Sequence, residues 1–286
     1  MRSLTTCFSA SLLATAAMFA GAASAQGALG AAAPFSVLAG TNVTCTAGTI
    51  VTGAVGVSPG SAVPYTNTGC LITGAVPPAT NTAAAAARSA MLSAYSSFQF
   101  MSCIPISGNL DMQNLAPGVY CLDAVAKAGT LTLTGNANDS WVFRVNGALT
   151  GTNFSVVMAG GAQPCNVFWA PTGAATMTTS TFKGNILAGN AALGSITLTG
   201  GSLAGRALAS VAVTMTGTSI IGCDALAVPG KSCKVDKDDH YPRPKCNQGV
   251  GNGAEGCDPG KSNHNHSSND EDGGKRGNPG RKGSDS

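Results

Sequence analysis

The chain has 286 residues, of which only 10% are charged and 5% are aromatic, and its 16 Lys and Arg nearly balance 13 Asp and Glu. This composition excludes a basic surface for nucleic acid, which needs clustered Lys and Arg with interleaved aromatic side chains. Ten cysteines are compatible with an oxidising compartment, in which disulfides form.

Residues 1–25 have the pattern of a secretory signal peptide. Arg2 supplies the positive start, residues 12–20 form a short apolar run, and Ala23-Ser24-Ala25 provides the small residues of a cleavage site. The run is shorter than the about 20 residues that a membrane span needs. We therefore predict a secreted, extracellular or surface-associated protein with no membrane insertion after cleavage. A retained membrane anchor is the alternative.

Residues 26–222 and 223–286 differ sharply in composition. The first range contains no His and no Glu, and its acidic residues are Asp111, Asp123 and Asp139. The second range contains all three His and many charged residues, but few large apolar ones. Such a segment cannot bury enough apolar surface to offset its ordering entropy. The sequence predicts a domain over 26–222, followed by a low-complexity, charged and mostly disordered tail over 223–286.

One long helix is predicted near residues 80–100. The segment Thr80 to Phe98 contains an alanine run, and its apolar residues recur at helical spacing. Asn81 or Thr82 is a suitable N-cap, and prolines flank the segment. We expect Tyr95 and Phe98 to be packing residues rather than ligands.

The rest of the domain repeats at intervals of about 20 residues. "TMTTSTFKGNILA" from Thr176 aligns with "TLTGGSLAGRALA" from Thr197 and with "TMTGTSIIG" from Thr214. Phe182, Leu203 and Ile220 then share one inward position, and "WVFRV" (141–145) aligns with "NVFWA" (166–170). Short glycine-rich repeats predict successive coils of a mainly β solenoid, of unequal length. A sandwich of short strands is the alternative.

The cysteines suggest a disulfide framework. Nine remain once Cys7 leaves with the signal peptide, and export permits them to pair. The favoured local pairs are Cys45 with Cys70 and Cys103 with Cys121. Cys165 with Cys223 and Cys246 with Cys257 are further options, Cys233 is left over, and sequence alone does not fix the connectivity. Zinc is the rival interpretation, but the spacings fit no zinc pattern and the domain contains no His.

Five further motifs follow one another along the domain: "ALGAAAPFSVLAG" from Ala28, "TGAVGVSPG" from Thr52, "LAPGVYC" from Leu115, "CNVFWAPTGAAT" from Cys165 and "TFKGNILA" from Thr181. In this order they resemble the DUF3494 family of secreted ice-binding proteins. The resemblance implies a right-handed, discontinuous β-solenoid of triangular section with one long helix packed alongside. It also implies ice binding through one flat face, and it supports the pair Cys103 and Cys121.

Many members of that family repeat Thr-Ala/Gly-x-Thr/Asn on the ice-binding face. The matching segments here are 150–153, 199–202 and 216–219, whereas 178–181 fits less well. The expected ice-binding residues are Thr150, Thr152, Asn153, Thr176, Thr178, Thr181, Thr197, Thr199, Ser202, Thr214, Thr216, Thr218 and Ser219. The implied partner is an ice crystal surface, bound by a monomer without cofactor or metal.

Two other functions compete with ice binding. A glycosidase would need two carboxylates, Asp111 with Asp123 or Asp139, but general acid-base chemistry has little else to use in this domain. An adhesion module is the stronger alternative, in which the same face meets a cell-surface or matrix polymer and the tail acts as tether. Threonine is also common in strands for packing reasons alone.

Overall fold

The computed structural model describes residues 25–59, 64–77, 81–124 and 126–226. Residues 1–24 of the predicted signal peptide lie outside these ranges, as do the predicted tail from residue 227 onward and its cysteines, Cys233, Cys246 and Cys257. Within them the chain forms 19 strands of one sheet. The helical elements are α1 (Ala25–Leu29), a 3-10 turn (Gly30–Ala32), α2 (Asn81–Phe100) and α3 (Cys223–Leu226), with a second 3-10 turn at Pro164–Asn166.

The strands stack into three faces, and corners of the chain separate one face from the next within each coil. The threonine face contains β2 (Asn42–Thr46), β5 (Tyr65–Thr68), the start of β12 (Leu149–Ala159), β14 (Ala175–Thr178), β16 (Ile196–Thr199) and β18 (Ala212–Thr216). The second face contains β3 (Ile50–Thr52), β6 (Leu71–Ile72), β8 (Asn114–Leu115), β10 (Lys127–Thr134), the remainder of β12, the starts of β15 (Thr181–Ala188) and β17 (Ser202–Ala209), and β19 (Ser219–Ile221). The helix-covered face contains β1 (Phe35–Ala39), β4 (Ala54–Val57), β7 (Ile104–Pro105), β9 (Gly118–Asp123), β11 (Trp141–Asn146), β13 (Val167–Pro171) and the ends of β15 and β17.

The solenoid is discontinuous in chain order. Strand β18, near the C-terminal end of the described chain, pairs with β2, near its beginning, so that Val213 lies opposite Val43. The first coils of the chain are therefore stacked on its last ones. Helix α2 follows β6 and precedes β7, which begins the stack that runs through β9, β11 and β13. All of these pairings are parallel, which excludes the sandwich alternative, since hairpin-connected sandwich strands are antiparallel.

The inward side chains of all three faces form one apolar core. Phe182, Leu203 and Ile220 lie opposite one another in register, as the repeat predicted, and all are buried. Phe143 stacks on Trp169 with ring centroids 4.0 Å apart. Aromatic pairs of this kind add specific geometry to apolar burial and help to keep the coils in one register.

The predicted alignment of "WVFRV" with "NVFWA" is wrong by one residue. Trp141 lies opposite Val167, and Phe143 lies opposite Trp169. Matching the letters "VF" in both segments would have placed Phe143 opposite Phe168. However, Phe168 points to the other side of the sheet and packs under the helix with Val142. A slip of one residue exchanges the two sides of a strand, so burial decides the register.

Helix α2 covers one face of the solenoid, as its apolar spacing predicted. Ala84, Ala87, Met91 and Phe98 are buried and pack on the outward side chains of the helix-covered face. The hydroxyl of Tyr95 donates to the carbonyl oxygen of Pro171 at 3.2 Å. Within the described ranges, no helix is both long and apolar enough to cross a membrane.

Three disulfides join strands or coils that are distant in sequence. They are Cys45–Cys70, Cys103–Cys121 and Cys165–Cys223, with Cα–Cα distances of 6.0, 5.5 and 5.7 Å. The first two are the pairs that the sequence favoured, and the third is one of the options that it left open. The first joins β2 to the residue before β6, and the second joins the residue before β7 to β9. Both ends of the stack are thus covalently closed.

Candidate functional site

Two straight columns of threonine run across the threonine face. The pairings place Thr150, Thr176, Thr197, Thr214, Thr44 and Thr66 opposite one another in sequence. The same register, two residues further along each strand, aligns Thr152, Thr178, Thr199, Thr216, Thr46 and Thr68. Because alternate residues of a strand point to the same side, all twelve side chains share one outer surface.

Eight of these threonines were expected from the sequence and four were not. The missed residues are Thr44, Thr46, Thr66 and Thr68, in the first coils of the chain. A simple signal was available, since every strand of the face contains the triplet Thr-x-Thr, written TCT, TNT, TGT, TMT, TLT and TMT in chain order. A search for the longer Thr-Ala/Gly-x-Thr/Asn pattern missed this triplet in β2 and β5, because these two strands do not match the longer pattern.

The side chains beneath the columns hold the face rigid. Leu149, Ala175, Ile196 and Val213 fill one inward column, and Met177, Leu198 and Met215 fill the next. All are buried, several of them completely. Close packing of this kind resists displacement of the strands above it. The threonine positions are therefore fixed from below as well as by the ladder of backbone hydrogen bonds.

Most of the threonine hydroxyls are available to water. Thr46 donates to the Met215 carbonyl oxygen and Thr68 to the Cys45 carbonyl oxygen, both at 3.3 Å. Thr44 accepts from the Asn42 amide at 3.4 Å. The other nine threonine hydroxyls have no protein hydrogen-bond partner among the described residues. The strands of the face also contain no charged residue.

A corner separates the threonine face from the second face, and its buried polar residues hold the turn. Ser180 donates to the Thr178 carbonyl oxygen at 3.0 Å and accepts from the Phe154 amide at 3.2 Å. Thr218 donates to the Gly201 carbonyl oxygen at 3.4 Å. Only 2% of Thr218 is exposed, so this predicted ice-binding residue cannot contact an external surface.

The predicted site mixes two faces. Thr181, Ser202 and Ser219 lie beyond the corner, in one column of the second face. The same column contains Ser155 on one side and continues through Ile50 and Leu71 on the other, so it ends in large apolar side chains. These three residues therefore do not lie on the surface formed by the twelve threonines.

The predicted alignment of the Thr-Ala/Gly-x-Thr/Asn pattern is also wrong at segment 150–153. Thr178 lies opposite both Thr152 and Thr199, so segment 178–181 is in register with 199–202. Segment 150–153 is displaced from them by two residues, and its proper equivalent is 152–155. The segment that matched the pattern less well is therefore the one in register. Asn153 lies in the corner rather than in a threonine column.

Charged groups near the face serve the fold. Lys127 lies opposite Gly151, at the inner side of the end of the face, and donates to the Asp123 carbonyl oxygen at 3.2 Å. Burial lowers the pKa of Lys127 to about 8, and the Asp123 charge opposes this shift.

The acidic residues weighed for catalysis also bind the backbone: Asp111 accepts from the Thr130 amide at 2.9 Å and Asp139 from the Asn136 amide at 2.8 Å. In the described ranges, no His, Cys, Asp and Glu cluster is arranged to hold a metal ion.

Comparisons with known proteins match this architecture. The sequence model of the family described as Ice-binding-like matches residues 37–221. Ice-binding protein K3-B1 of Typhula ishikariensis is 31% identical over 212 residues, which are 63% of this chain and 86% of that protein. An ice-binding protein of Nostoc sp. (strain HG1) is 37% identical over 173 residues, which are 56% of this chain and 61% of that protein. The solved structure of an ice-binding protein from an Arctic yeast has a TM-score of 0.61 at 26% identity, covering 77% of this chain and 97% of its own. That of an ice-binding protein from an Antarctic biological consortium has a TM-score of 0.59 at 30% identity, covering 79% and 98%.

Proposed function

The chain belongs to the Ice-binding-like family, and we propose that it binds ice crystals through its threonine face, which limits their growth or recrystallisation. The observation that carries the proposal is the pair of aligned threonine columns. The relatives and solved structures described above are ice-binding proteins by name, which supports the same conclusion. The adhesion alternative gains no support from them.

The spacing of the columns is suited to a crystalline partner. Alternate residues of a strand are roughly 6.5 to 7 Å apart, and neighbouring strands are about 4.7 to 4.9 Å apart. These distances are similar to those between rows of oxygen atoms in ice. The six strands span about 24 Å across the stack, since five strand spacings separate the first threonine from the last. A regular grid of this size presents many contacts at once.

Threonine suits this task because it combines three properties. Its hydroxyl joins a hydrogen-bonded water network, and its methyl group orders the water around it. Its branched Cβ restricts χ1, so little side-chain freedom remains to be lost when the surface meets ice. A charged side chain would keep its own hydration shell and disturb the match to a neutral lattice, and the strands of the face contain none.

Binding strength then comes from the number of rigid contacts. A single hydrogen bond exchanged with water contributes only about 0.5 to 1.5 kcal/mol. Each 1.4 kcal/mol nevertheless changes an equilibrium about tenfold, so contributions from many fixed sites give nearly irreversible adsorption. The disulfides and the packed core make this addition effective, because they keep the sites from moving independently.

A matched pair of substitutions on either side of one corner tests the proposal. Thr199→Tyr places a bulky ring in the threonine face, and Ser202→Tyr places the same ring three residues later, on the second face. We expect Thr199→Tyr to abolish ice-crystal shaping and thermal hysteresis, and Ser202→Tyr to preserve both. Unfolding temperatures measured for both variants control for damage to the fold.

Each contrary outcome has a definite meaning. Full activity of Thr199→Tyr would remove the threonine face as the ice-binding surface. Loss in Ser202→Tyr alone would move the site to the second face, where Thr181, Ser202 and Ser219 lie. Retention on a polymer without crystal shaping would favour the adhesion alternative instead.

The proposal includes export of the protein and action outside the cell. Three disulfides support it, because such bonds persist in oxidising compartments. We further propose that the protein acts as a monomer on the ice surface and catalyses no reaction. Two of the three aspartates weighed for a glycosidase support this, since Asp111 accepts from the Thr130 backbone amide and Asp139 from the Asn136 backbone amide.

A further inference from the structure

A left-handed backbone conformation occurs at the corner beside the threonine face in all six coils. In five coils the residue directly after the second threonine of the strand has a positive φ: Asn153 (50°), Thr179 (47°), Gly200 (62°), Gly217 (58°) and Gly69 (99°). In the β2 coil Ala47 follows Thr46 and the positive φ falls on Gly48 (81°), while the β16 coil has a second such residue, Gly201 (66°). Four coils thus use glycine, which adopts this conformation without steric cost.

Asn153 and Thr179 depart from glycine at this corner. Asparagine is among the side chains that tolerate the left-handed region, but a β-branched residue such as threonine is an outlier there. The corner itself does not need a side chain for packing. At Gly217 an added Cβ would have no heavy atom within 4 Å, so that position is open to solvent. A requirement other than packing must therefore explain why Asn153 and Thr179 replace glycine at this corner.

The two side chains form an exposed pair directly beside the threonine columns. Asn153 follows Thr152, and Thr179 follows Thr178, on adjacent coils. The Thr179 hydroxyl donates to Asn153 Oδ1 at 2.5 Å, which fixes both side chains relative to each other. The Thr179 methyl group lies over Gly200, where an added Cβ would come within 3.3 Å of it. Thr179 therefore presents a fixed hydroxyl and methyl group, as the threonines of the face do.

We propose that Asn153 and Thr179 form a short third row of the ice-binding surface, at its edge. This inference rests on the proposed function of the threonine face. The third row extends the contact around the corner over two coils, while the glycines and Ala47 at the other four corners offer no hydrogen-bonding side chain. The strained backbone at Thr179 is retained because its side chain contacts the ordered water of the ice, and the hydrogen bond to Asn153 holds it in place.

The double variant Asn153→Gly with Thr179→Gly tests the third row in the full chain. Glycine removes both side chains and relieves the left-handed strain, so the unfolding temperature should stay equal or rise. We expect adsorption of the labelled protein to a single ice crystal to fall about fivefold, since two fixed hydrogen-bonding groups are lost. Thr179→Asn, which keeps a polar group in a tolerated conformation, should retain more adsorption than Thr179→Gly.

The outcomes separate this inference from the proposed function. Undiminished adsorption of the double glycine variant would overturn the third row. A loss accompanied by a lower unfolding temperature would also overturn it, because the pair would then serve the fold. If Thr199→Tyr keeps full adsorption, the threonine face itself fails. Loss in Thr199→Tyr together with full adsorption of the double glycine variant would leave the face in place and remove only the third row.

Discussion

Thr44 lies opposite Thr214 in the pairing of β2 with β18, although these two residues are near opposite ends of the described chain. This contact continues both threonine columns from the C-terminal coils onto the first coils of the sequence. The surface therefore spans six strands instead of the four that the sequence repeats indicated. Since adsorption depends on the number of fixed contacts, the discontinuous order of the solenoid enlarges the proposed site.

The first prediction concerns the added coils. Thr66→Tyr, in the last strand of the threonine face, should reduce ice-crystal adsorption several-fold, because a ring at this position lifts that edge of the grid from the ice. Thr73→Tyr is the matched control, since Thr73 is exposed beyond the second-face strand of the same coil. Adsorption and thermal hysteresis are measured for both. If Thr66→Tyr adsorbs to ice as strongly as Thr73→Tyr and the unsubstituted protein do, the site is restricted to the four coils from β12 to β18.

Much of the architecture could be predicted from the sequence because the later coils repeat their inward residues. The positions of Phe182, Leu203 and Ile220 are fixed by apolar burial, and their spacing predicted the observed register. Helix α2 was equally accessible, because its buried residues recur on one side of a helical period. A buried face requires apolar residues at regular intervals, so its position can be recognised from the sequence.

The candidate site was harder to predict because corners are short and outward positions are weakly constrained. Only Gly200 and Gly201 lie between Thr199 and Ser202, so a linear motif passes from one face to the next without a break. Such a motif assigned Ser202 and Ser219 to the threonine face. The pairing of β18 with β2 was not accessible either, since it joins segments that share no long motif.

The second prediction concerns the close approach of two coils at Gly184 and Gly205. Gly205 has φ 147°, and an added Cβ would lie 2.0 Å from the Gly184 carbonyl oxygen. Gly205→Ala should lower the free energy of unfolding by about 3 to 5 kcal/mol, because the backbone of the neighbouring strand must move. Gly217→Ala is the control, since only its left-handed conformation opposes alanine, at about 1 kcal/mol. Urea denaturation distinguishes the two, and similar losses would contradict the proposed clash.

The third prediction concerns the disulfide at the outer end of the threonine face. Cys45–Cys70 ties the last coil, which contains Thr66 and Thr68, to β2. Replacing both cysteines by alanine should cost about 2 to 4 kcal/mol of stability. Backbone amides of residues 65–72 should also exchange with solvent faster than those of β14 and β16, because the end coil loses its covalent attachment. Uniform exchange throughout the domain would contradict this local role.

The fourth prediction concerns Lys127, of which only 1% is exposed. Burial lowers its pKa to about 8 from the ordinary value of 10.5, against the attraction of Asp123. Between these two values the unfolded chain keeps a proton that the folded chain has released. Raising the pH through this window therefore increases the free energy of unfolding. Below pH 8 both the folded and the unfolded chain hold a charged lysine at this position, so this contribution to stability is absent.

Comparison with Lys127→Met isolates that contribution from every other titrating group. Burial raises the pKa values of Tyr95 and Tyr120, but those residues are present in both proteins, so their effects cancel in the difference. From pH 7 to pH 9.5, the stability of the natural chain should rise by about 1 to 2 kcal/mol relative to the variant. Chemical denaturation at the two pH values measures this difference. A constant difference would mean that Lys127 keeps its ordinary proton affinity in the folded state, and that its hydrogen bond to the Asp123 carbonyl oxygen fully compensates for its burial.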